Sequence, residues 1–171
     1  FLTALGGVIY LHRVHFIPVA ETSIHPEKMD GDINISHFLS PECKCSHLLR
    51  DHFIKRGPSS YNEKFYIIKT HDESLNRKIT QPLEKAGFKT ELISEEKVTG
   101  VPLLVIQNTK GESLYTGGYT QGAIRPDSII LDIQIANDLK HKKNITAYSA
   151  LGCAVSEKLK KYIDPLGVKS L

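Results

Sequence analysis

The sequence predicts an α/β domain with a mixed β-sheet and helices on both faces. An apolar strand pattern over 33–39 leads through a turn with two cysteines into a helical pattern. Further apolar runs alternate with segments of helical periodicity, as expected when crossover helices join parallel strands. A Val-Pro pair at 101–102 then opens an apolar strand that returns through a hairpin turn. The hairpin adds an antiparallel pair, so the sheet is expected to be mixed.

The first half of the domain contains three predicted strands and two predicted helices. One face of the first strand carries every second residue, namely Ile33, Ile35, His37 and Leu39, while Phe38 lies on the other face. The elements that follow are a helix over 46–56 closed by Gly57-Pro58, an apolar strand over 65–68, a helix over 74–86 that stops at Gly87, and a strand over 88–93.

The second half adds the hairpin and two helices. Pro102 heads an apolar strand over 103–106, where its missing N–H is tolerated because it falls at the strand end. A turn at 108–111 and a strand over 112–115 complete the hairpin. The next helix is predicted over 127–141, capped by Asp127 or Ser128, with Ile130, Ile133 and Ala136 facing inward. A short helix over 155–163 ends the pattern.

Composition limits the classes of partner. The chain of 171 residues carries 22 Lys and Arg against 19 Asp and Glu, a net charge of +3. No basic stripe with interleaved aromatic residues is present, so nucleic acid is not an expected partner. Three cysteines in a chain of this length do not make a disulfide scaffold. The length suits one domain with a terminal extension.

Residues 1–15 are interpreted as the remnant of an N-terminal membrane anchor or signal. Residues 1–11 are nearly all apolar or small, but a stretch of 11 residues is shorter than the roughly 20 needed to span a bilayer. An ordinary first strand or helix is the alternative. Residues 16–32 are interpreted as a linker and 33–171 as the folded domain. The expected location is therefore periplasmic or otherwise extracytoplasmic, with anchoring in the inner membrane.

Cys43 is the candidate nucleophile. It follows a strand and begins a helix, where backbone N–H groups have no partner within the helix. The positive end of the helix dipole stabilises a thiolate at such a position, so Cys43 is expected to be acidic and nucleophilic. The alternative is a buried, inert structural cysteine.

The chain resembles the thioredoxin superfamily in two features. One is the strand–cysteine–helix junction at 37–43, and the other is the sequence Gly-Val-Pro at 100–102, which opens a strand that continues into a hairpin and a Gly-Gly turn. The likeness covers roughly 33–141. It implies a thioredoxin-like fold with redox activity, in which Pro102 is cis and packs beside the reactive Cys43.

Cys45 is the candidate resolving thiol, although the resemblance would put the second cysteine at Ser46. Side chains two residues apart in a helix diverge by roughly 200°, whereas a disulfide needs Cβ atoms about 3.5–4.5 Å apart. A bridge between Cys43 and Cys45 therefore requires Cys43 outside helical geometry or a local distortion. Cys153, which follows a glycine and precedes a short helix, is a possible third redox thiol or a small core residue.

His37 and His47 are candidate proton carriers. The resemblance puts His37 under the turn, at a position where thioredoxins often have a buried acid. His47 lies four residues after Cys43, one helical turn away. A histidinium lowers the pKa of a nearby thiol, and a neutral histidine accepts its proton. The alternative for each is a packed or solvated histidine with no chemical role.

These residues lead us to expect a thiol-disulfide oxidoreductase that acts on protein or small-molecule thiols, with Cys43 attacking and Cys45 resolving. Gly100 and Val101 would bind an extended substrate segment as one more strand, and an unidentified redox partner would reset the thiols. No cofactor and no resident metal are expected. Thiolates and imidazoles also suit Cu(I), so the alternative is a copper-handling or non-catalytic thioredoxin-fold binding protein.

Overall fold

The computed structural model describes residues 32–163, so the anchor expected at 1–15 and nearly all of the expected linker lie outside the described residues. The strands are β1 (Ile33–Leu39), β2 (Asn62–Ile68), β3 (Lys89–Ile93), β4 (Gly100–Val101), β5 (Leu103–Asn108), β6 (Ser113–Gly117) and β7 (Cys153–Ala154). The α-helices are α1 (Lys44–Arg56), α2 (Glu73–Lys85), α3 (Asp132–Lys140) and α4 (Glu157–Ile163). Within residues 32–163, no helix has the length and apolar character to cross a bilayer.

Five strands form one mixed sheet in the order β3-β2-β1-β5-β6. β1 lies at the centre, parallel to β2 and antiparallel to β5. β2 pairs in parallel with β3, and β5 pairs antiparallel with β6. The predicted fold class, a mixed sheet flanked by helices, is therefore confirmed. All of β1 is buried, and Cys43, which follows the carboxyl end of this strand, is also buried.

Apolar side chains cover both faces of the sheet. On the first face, strand residues pack against the apolar sides of α1, α2 and α3, including Ile35, Leu39, Phe65, Leu104, Leu49, Phe53, Ile79, Leu83 and Ile135. On the second face, a separate cluster joins Phe38, Tyr66, Val101, Leu103, Val105, Ala150, Val155 and Cys43. The alternation along β1 thus sends His37 toward the first face, as predicted, and Phe38 toward the second, where Cys43 also lies.

Two predicted helix boundaries have clear local causes. α1 ends at Gly57, which adopts φ +74°, and the Gly57 N–H donates to the Phe53 carbonyl at 2.8 Å. Glycine is favoured there because it adopts a positive φ without steric cost. α2 begins after Asp72, whose carboxylate accepts hydrogen bonds from the N–H groups of Ser74 and Leu75. Such a cap satisfies donors that the first helical turn leaves open.

The predicted start of the third helix is wrong. α3 begins at Asp132 rather than at position 127, and the residue before it, Leu131, caps it without a side-chain hydrogen bond. Ser128 instead closes a turn, because its N–H donates to the Arg125 carbonyl at 3.1 Å. The buried residues of α3 are Asp132, Ile135 and the predicted Ala136, whereas the predicted Ile130 and Ile133 are partly buried and pack against the same core. A tertiary ion pair of Asp132, described below, outweighs the apolar periodicity here.

The Val101–Pro102 peptide bond is cis, as predicted. Pro102 separates β4 from β5, so the chain enters the central sheet directly after this bond. β4 itself does not join the five-stranded sheet. It pairs antiparallel with β7, in a register that matches Gly100 with Ala154 and Val101 with Cys153. The C-terminal part of the described chain therefore lies beside the cis bond.

Candidate functional site

Cys43 occupies the N-cap position of α1. Its backbone is extended, with φ −99° and ψ 116°, and its carbonyl accepts from the N–H groups of Ser46 and His47. The turn before it is held by two contacts, since the Cys43 N–H donates to the Ser40 carbonyl at 3.2 Å and the Ser46 hydroxyl accepts from the Ser40 N–H at 3.1 Å. The prediction that Cys43 joins a strand to a helix is confirmed, and its backbone lies outside helical geometry.

The Cys43 thiol is completely buried, next to the cis bond and a distant cysteine. Its Sγ lies 2.6 Å from Sγ of Cys153 and 3.7 Å from the carbonyl oxygen of Val101. All three cysteines are present as thiols. When protonated, the Cys43 thiol donates to Val101, and as a thiolate it accepts from the Cys153 thiol. The site therefore brings together residues that are 110 positions apart in the sequence.

The environment of Cys43 favours its thiolate. Hydrogen bonds from the Cys153 and Cys45 thiols, followed by those from Ser46, outweigh the effect of burial and lower the pKa of Cys43 far below its ordinary value. The pKa of Cys45 moves upward, because its proton is held by Cys43 and because burial disfavours a second thiolate. One negative charge is thus concentrated on Cys43, which is the arrangement that a nucleophile with a protonated neighbour requires.

Cys45 lies in the first turn of α1, half-buried and in contact with the apolar clusters on both faces of the sheet. The extended backbone of Cys43 meets the condition that the sequence argument set for a bridge between these two cysteines. Cys45 therefore remains a candidate resolving thiol. Cys153 contacts Cys43 directly, and the Cys45 thiol also lowers the pKa of Cys43.

Cys153 reaches Cys43 because Gly152 packs directly on the cis peptide unit. A Cβ atom on Gly152 would lie 2.6 Å from Cδ of Pro102 and closer still to the Val101 carbonyl oxygen. No side chain larger than hydrogen fits at this approach. The glycine precedes Cys153 in the sequence, but no sequence pattern places it against Pro102.

His37 packs among aromatic side chains on the first face of the sheet. Its ring stacks on Phe65 at a centroid distance of 4.3 Å, and its Nδ1 lies 3.1 Å from the Tyr119 hydroxyl. The Tyr119 hydroxyl in turn donates to the Leu103 carbonyl at 3.1 Å, one residue after Pro102. Cys43 belongs to the cluster on the opposite face. His37 is therefore linked to the cis-proline segment through Tyr119, and its described contacts do not include a cysteine.

His47 uses both ring nitrogens in contacts other than with Cys43. Its Nε2 lies 2.7 Å from the Pro41 carbonyl, and its Nδ1 lies 3.1 Å from Nη1 of Arg50. Because an arginine donates and a carbonyl accepts, this network assigns the proton to Nε2. His47 thereby fastens the turn before Cys43 to α1.

A buried ion network that the sequence argument did not identify lies beside His37. Arg56 donates to both carboxylate oxygens of Glu63, at 2.7 and 3.2 Å, and to Asp132 at 3.1 Å. Nε2 of His37 lies 3.5 Å from Glu63. Burial opposes ionisation of Glu63, but the contacts with His37 and Arg56 outweigh it and lower its pKa well below the ordinary range. Glu63 lies between Asn62 and Lys64 in the polar start of β2, so its sequence position gave no signal of this network.

His37, Glu63 and Asp132 also satisfy the distance requirement of a metal site, with one ligand atom of each within 4.8 Å of the others. The Arg56 guanidinium, however, already supplies a positive partner to both carboxylates. We therefore interpret this cluster as an ion network that holds α1, β2 and α3 together.

The fold and the site together define an α/β protein with a mixed five-stranded sheet flanked by helices, consistent with a thioredoxin-like arrangement, and with a thiol cluster at a cis-proline. The model of a family described as a domain of unknown function, DUF6436, matches residues 16–156. The chain belongs to this family.

Comparisons with other proteins give distant likenesses. No curated protein matches the chain. A crystal structure of a hypothetical protein from Sinorhizobium meliloti 1021 is similar at 13% identity and a TM-score of 0.48, covering 74% of this chain and 80% of that one. An uncharacterized conserved protein from Geobacillus kaustophilus is similar at 12% identity and a TM-score of 0.48, covering 82% of this chain and 96% of that one.

Proposed function

We propose that this protein is a member of the thioredoxin-like superfamily that carries out thiol-disulfide exchange, with Cys43 as the nucleophile. The observation that carries the proposal is the placement of the Cys43 thiol at a helix N-terminus, 3.7 Å from the carbonyl next to a cis-proline and in contact with a second thiol. A depressed pKa keeps Cys43 in the form that attacks disulfides.

The reaction has two steps. The Cys43 thiolate attacks one sulfur of a partner disulfide, forming a mixed disulfide and releasing the other sulfur as a thiolate. A second thiol of the chain then attacks the Cys43 sulfur, releasing the partner as a dithiol and leaving an internal disulfide. The Cys153 sulfur lies 2.6 Å from that of Cys43, and Cys45 follows two residues later in the first turn of α1, so both are candidates for this second step. An external dithiol of an unidentified redox partner returns the chain to its starting state.

A single-turnover assay tests the first step. Reduced protein is mixed with an insulin-type disulfide, and the released thiols are followed against Cys43→Ser and Cys45→Ser. Cys43→Ser is expected to abolish the reaction. Cys45→Ser is the matched control, because it also removes a thiol of the site but leaves the first attack intact. Full activity in Cys43→Ser would refute the proposed function.

A second candidate function, Cu(I) handling, is favoured by the contact between the Cys43 and Cys153 thiols, whose Sγ atoms lie 2.6 Å apart. Soft thiolates are the ligands that Cu(I) prefers, and the nearby Cys45 thiol also lowers the pKa of Cys43. Anaerobic titration against a chromophoric Cu(I) chelator tests this candidate. Competition by the reduced protein that disappears in Cys43→Ser would support it, and absence of competition would eliminate it.

We also propose that the partners are protein thiols outside the cytoplasm, at the inner membrane. This part of the proposal is supported by the apolar composition of residues 1–11. Cell fractionation of the tagged protein, followed by labelling with a membrane-impermeant thiol reagent, is the test. Labelling only after lysis would refute an extracytoplasmic location.

A further inference from the structure

We propose that residues 148–156, here called the strap, occupy the substrate-strand position beside Val101, and that a reversible disulfide between Cys153 and Cys43 locks the strap there. The inference rests on the proposed function and extends it. It identifies the resolving thiol as Cys153 and gives the chain an internal substrate that competes with external partners.

The pairing of β4 with β7 carries this inference. An extended substrate would be expected to form backbone hydrogen bonds with Val101, as an added strand next to the nucleophile. In the structure, that edge is already paired with Cys153 and Ala154 of the same chain. The register sets Cys153 opposite Val101 and brings its sulfur to 2.6 Å from that of Cys43. Cys153 thus stands where the sulfur of an external substrate would have to lie.

The strap is held at both ends by backbone contacts. At its start, the Gly118 N–H donates to the Tyr148 carbonyl at 2.8 Å. At its end, the N–H groups of Val155 and Ser156 donate to the Thr99 carbonyl at 3.0 and 3.2 Å. These bonds position the strap across the cis-proline. The β4–β7 ladder between them is only two residues long, so the strap can open without disrupting the central sheet.

Closure by the strap explains the complete burial of the nucleophile. Cys43 has 0% of its surface exposed, whereas Cys153 is partly exposed. A partner disulfide can reach Cys43 only when the strap moves away. Once the mixed disulfide has formed, the returning strap presents the Cys153 thiolate to the Cys43 sulfur. The bond from Cys43 to the partner breaks, the partner leaves as a thiolate, and the Cys43–Cys153 disulfide forms.

Disulfide mapping tests the identity of the resolving thiol. Trypsin cleaves after Lys44, so the three cysteines fall on separate peptides, 29–44, 45–50 and 144–158. Reduced protein is treated with oxidised glutathione, alkylated and digested. The expected product links 29–44 to 144–158. Cys153→Ser should instead accumulate a glutathione mixed disulfide on Cys43, and Cys45→Ser should still form the internal bond. A dominant link between 29–44 and 45–50 would overturn the inference.

Alkylation of reduced protein tests the closure independently of redox turnover. Gly152→Ala places a methyl group against Pro102 and should hold the strap open. Iodoacetamide labelling of the peptide 29–44 should then be faster by at least about tenfold, because labelling requires local opening. Gly122→Ala is the matched control, since an added Cβ there meets nothing within 4 Å. Equal rates in Gly152→Ala and wild type would overturn the inference.

Hydrogen exchange of the wild-type chain avoids dependence on a variant that fails to fold. Amide exchange in the strap should be slower by at least about tenfold in the oxidised than in the reduced protein, because the disulfide suppresses local opening. Equal exchange in the two states would overturn the inference.

The two proposals can fail separately. A disulfide between peptides 29–44 and 45–50 in the wild-type protein, together with loss of insulin reduction in Cys43→Ser, would leave the proposed function standing and refute the role of the strap. Full insulin reduction by Cys43→Ser, together with the link from 29–44 to 144–158 in the wild-type protein, would remove the proposed function.

Discussion

Replacement of Arg56 by methionine is expected to destabilise the fold severely. The guanidinium contacts Glu63 at 2.7 Å and Asp132 at 3.1 Å, and the side chains of these two acids are only 3% and 1% exposed. Methionine keeps much of the packing against Phe53 and Phe88 but leaves two buried carboxylates without their cation. Removing one partner of a buried ion pair costs about 3–5 kcal/mol, a large part of the 5–15 kcal/mol typical of domain stability.

Urea unfolding at neutral pH measures this loss, and Lys143→Met is the control. Lys143 forms an ion pair with Asp138 but is 65% exposed, so its loss should cost less than about 1 kcal/mol. In thermal melts, the Arg56→Met variant should unfold roughly 6–20 °C below wild type, at about 2–4 °C per kcal/mol. If Arg56→Met and Lys143→Met destabilise the protein equally, the ion network does not hold the elements together.

The pH dependence of the stability difference between wild type and Arg56→Met provides a second test of the ion network. The pKa of Glu63 is depressed in the folded protein, so its contribution to stability is present above the unfolded value of about 4.3 and is lost as the pH falls toward the folded value. Without Arg56, the pKa of Glu63 should rise, and acid should then neutralise a buried charge that has lost its guanidinium partner. The difference in stability between wild type and Arg56→Met should therefore narrow below pH ~4. A difference that widens in acid would contradict this reasoning.

Three further outcomes are expected. Cys153→Ala should move the thiolate absorbance transition of Cys43 to higher pH in a Cys45→Ser background, because the hydrogen bond from Cys153 is the main cause of the low pKa of Cys43; an unchanged midpoint would contradict this. Tyr119→Phe should cost about 1–3 kcal/mol in urea unfolding, because the buried Leu103 carbonyl loses its donor; a neutral result would mean that water replaces the hydroxyl. Leu49→Ala should lower the free energy of unfolding by about 2–5 kcal/mol, measured by urea unfolding, because the side chain is fully buried. Leu92→Ala is the control, because Leu92 is 41% exposed and its replacement should change the stability little. Equal losses of stability would argue against the described core.

The thiol cluster and the ion network occupy opposite faces of the sheet, yet both are attached to β1 and to the cis-proline segment. His37 connects the ion network to Tyr119, and the Tyr119 hydroxyl holds the Leu103 carbonyl next to Pro102. The ion network therefore supports the segment against which Cys43 packs. Changes in Arg56 are expected to affect stability first and the thiol site only through this support.

The sequence by itself determined the elements that depend on local chemistry. Alternating residues predicted β1, the strand-to-helix change predicted Cys43 at a helix start, and Gly57 marked the end of α1. The apolar run after Val101-Pro102 and the turn at 108–111 predicted the hairpin, and the resemblance to thioredoxins predicted the cis bond. Apart from the cis bond, each of these features is encoded among neighbouring residues, through side-chain periodicity, backbone preference or turn chemistry.

The tertiary structure alone decided which distant groups meet. Cys153 lies beside Cys43 across 110 positions, because Gly152 lets the strap approach Pro102 closely, and no periodicity encodes that approach. The start of α3 follows the ion pair of Asp132 with Arg56, which overrides the apolar pattern that favoured an earlier start. Contacts of this kind depend on how packed elements bring residues together in space. A local pattern can mark a reactive cysteine, but it does not specify which thiol will lie against it.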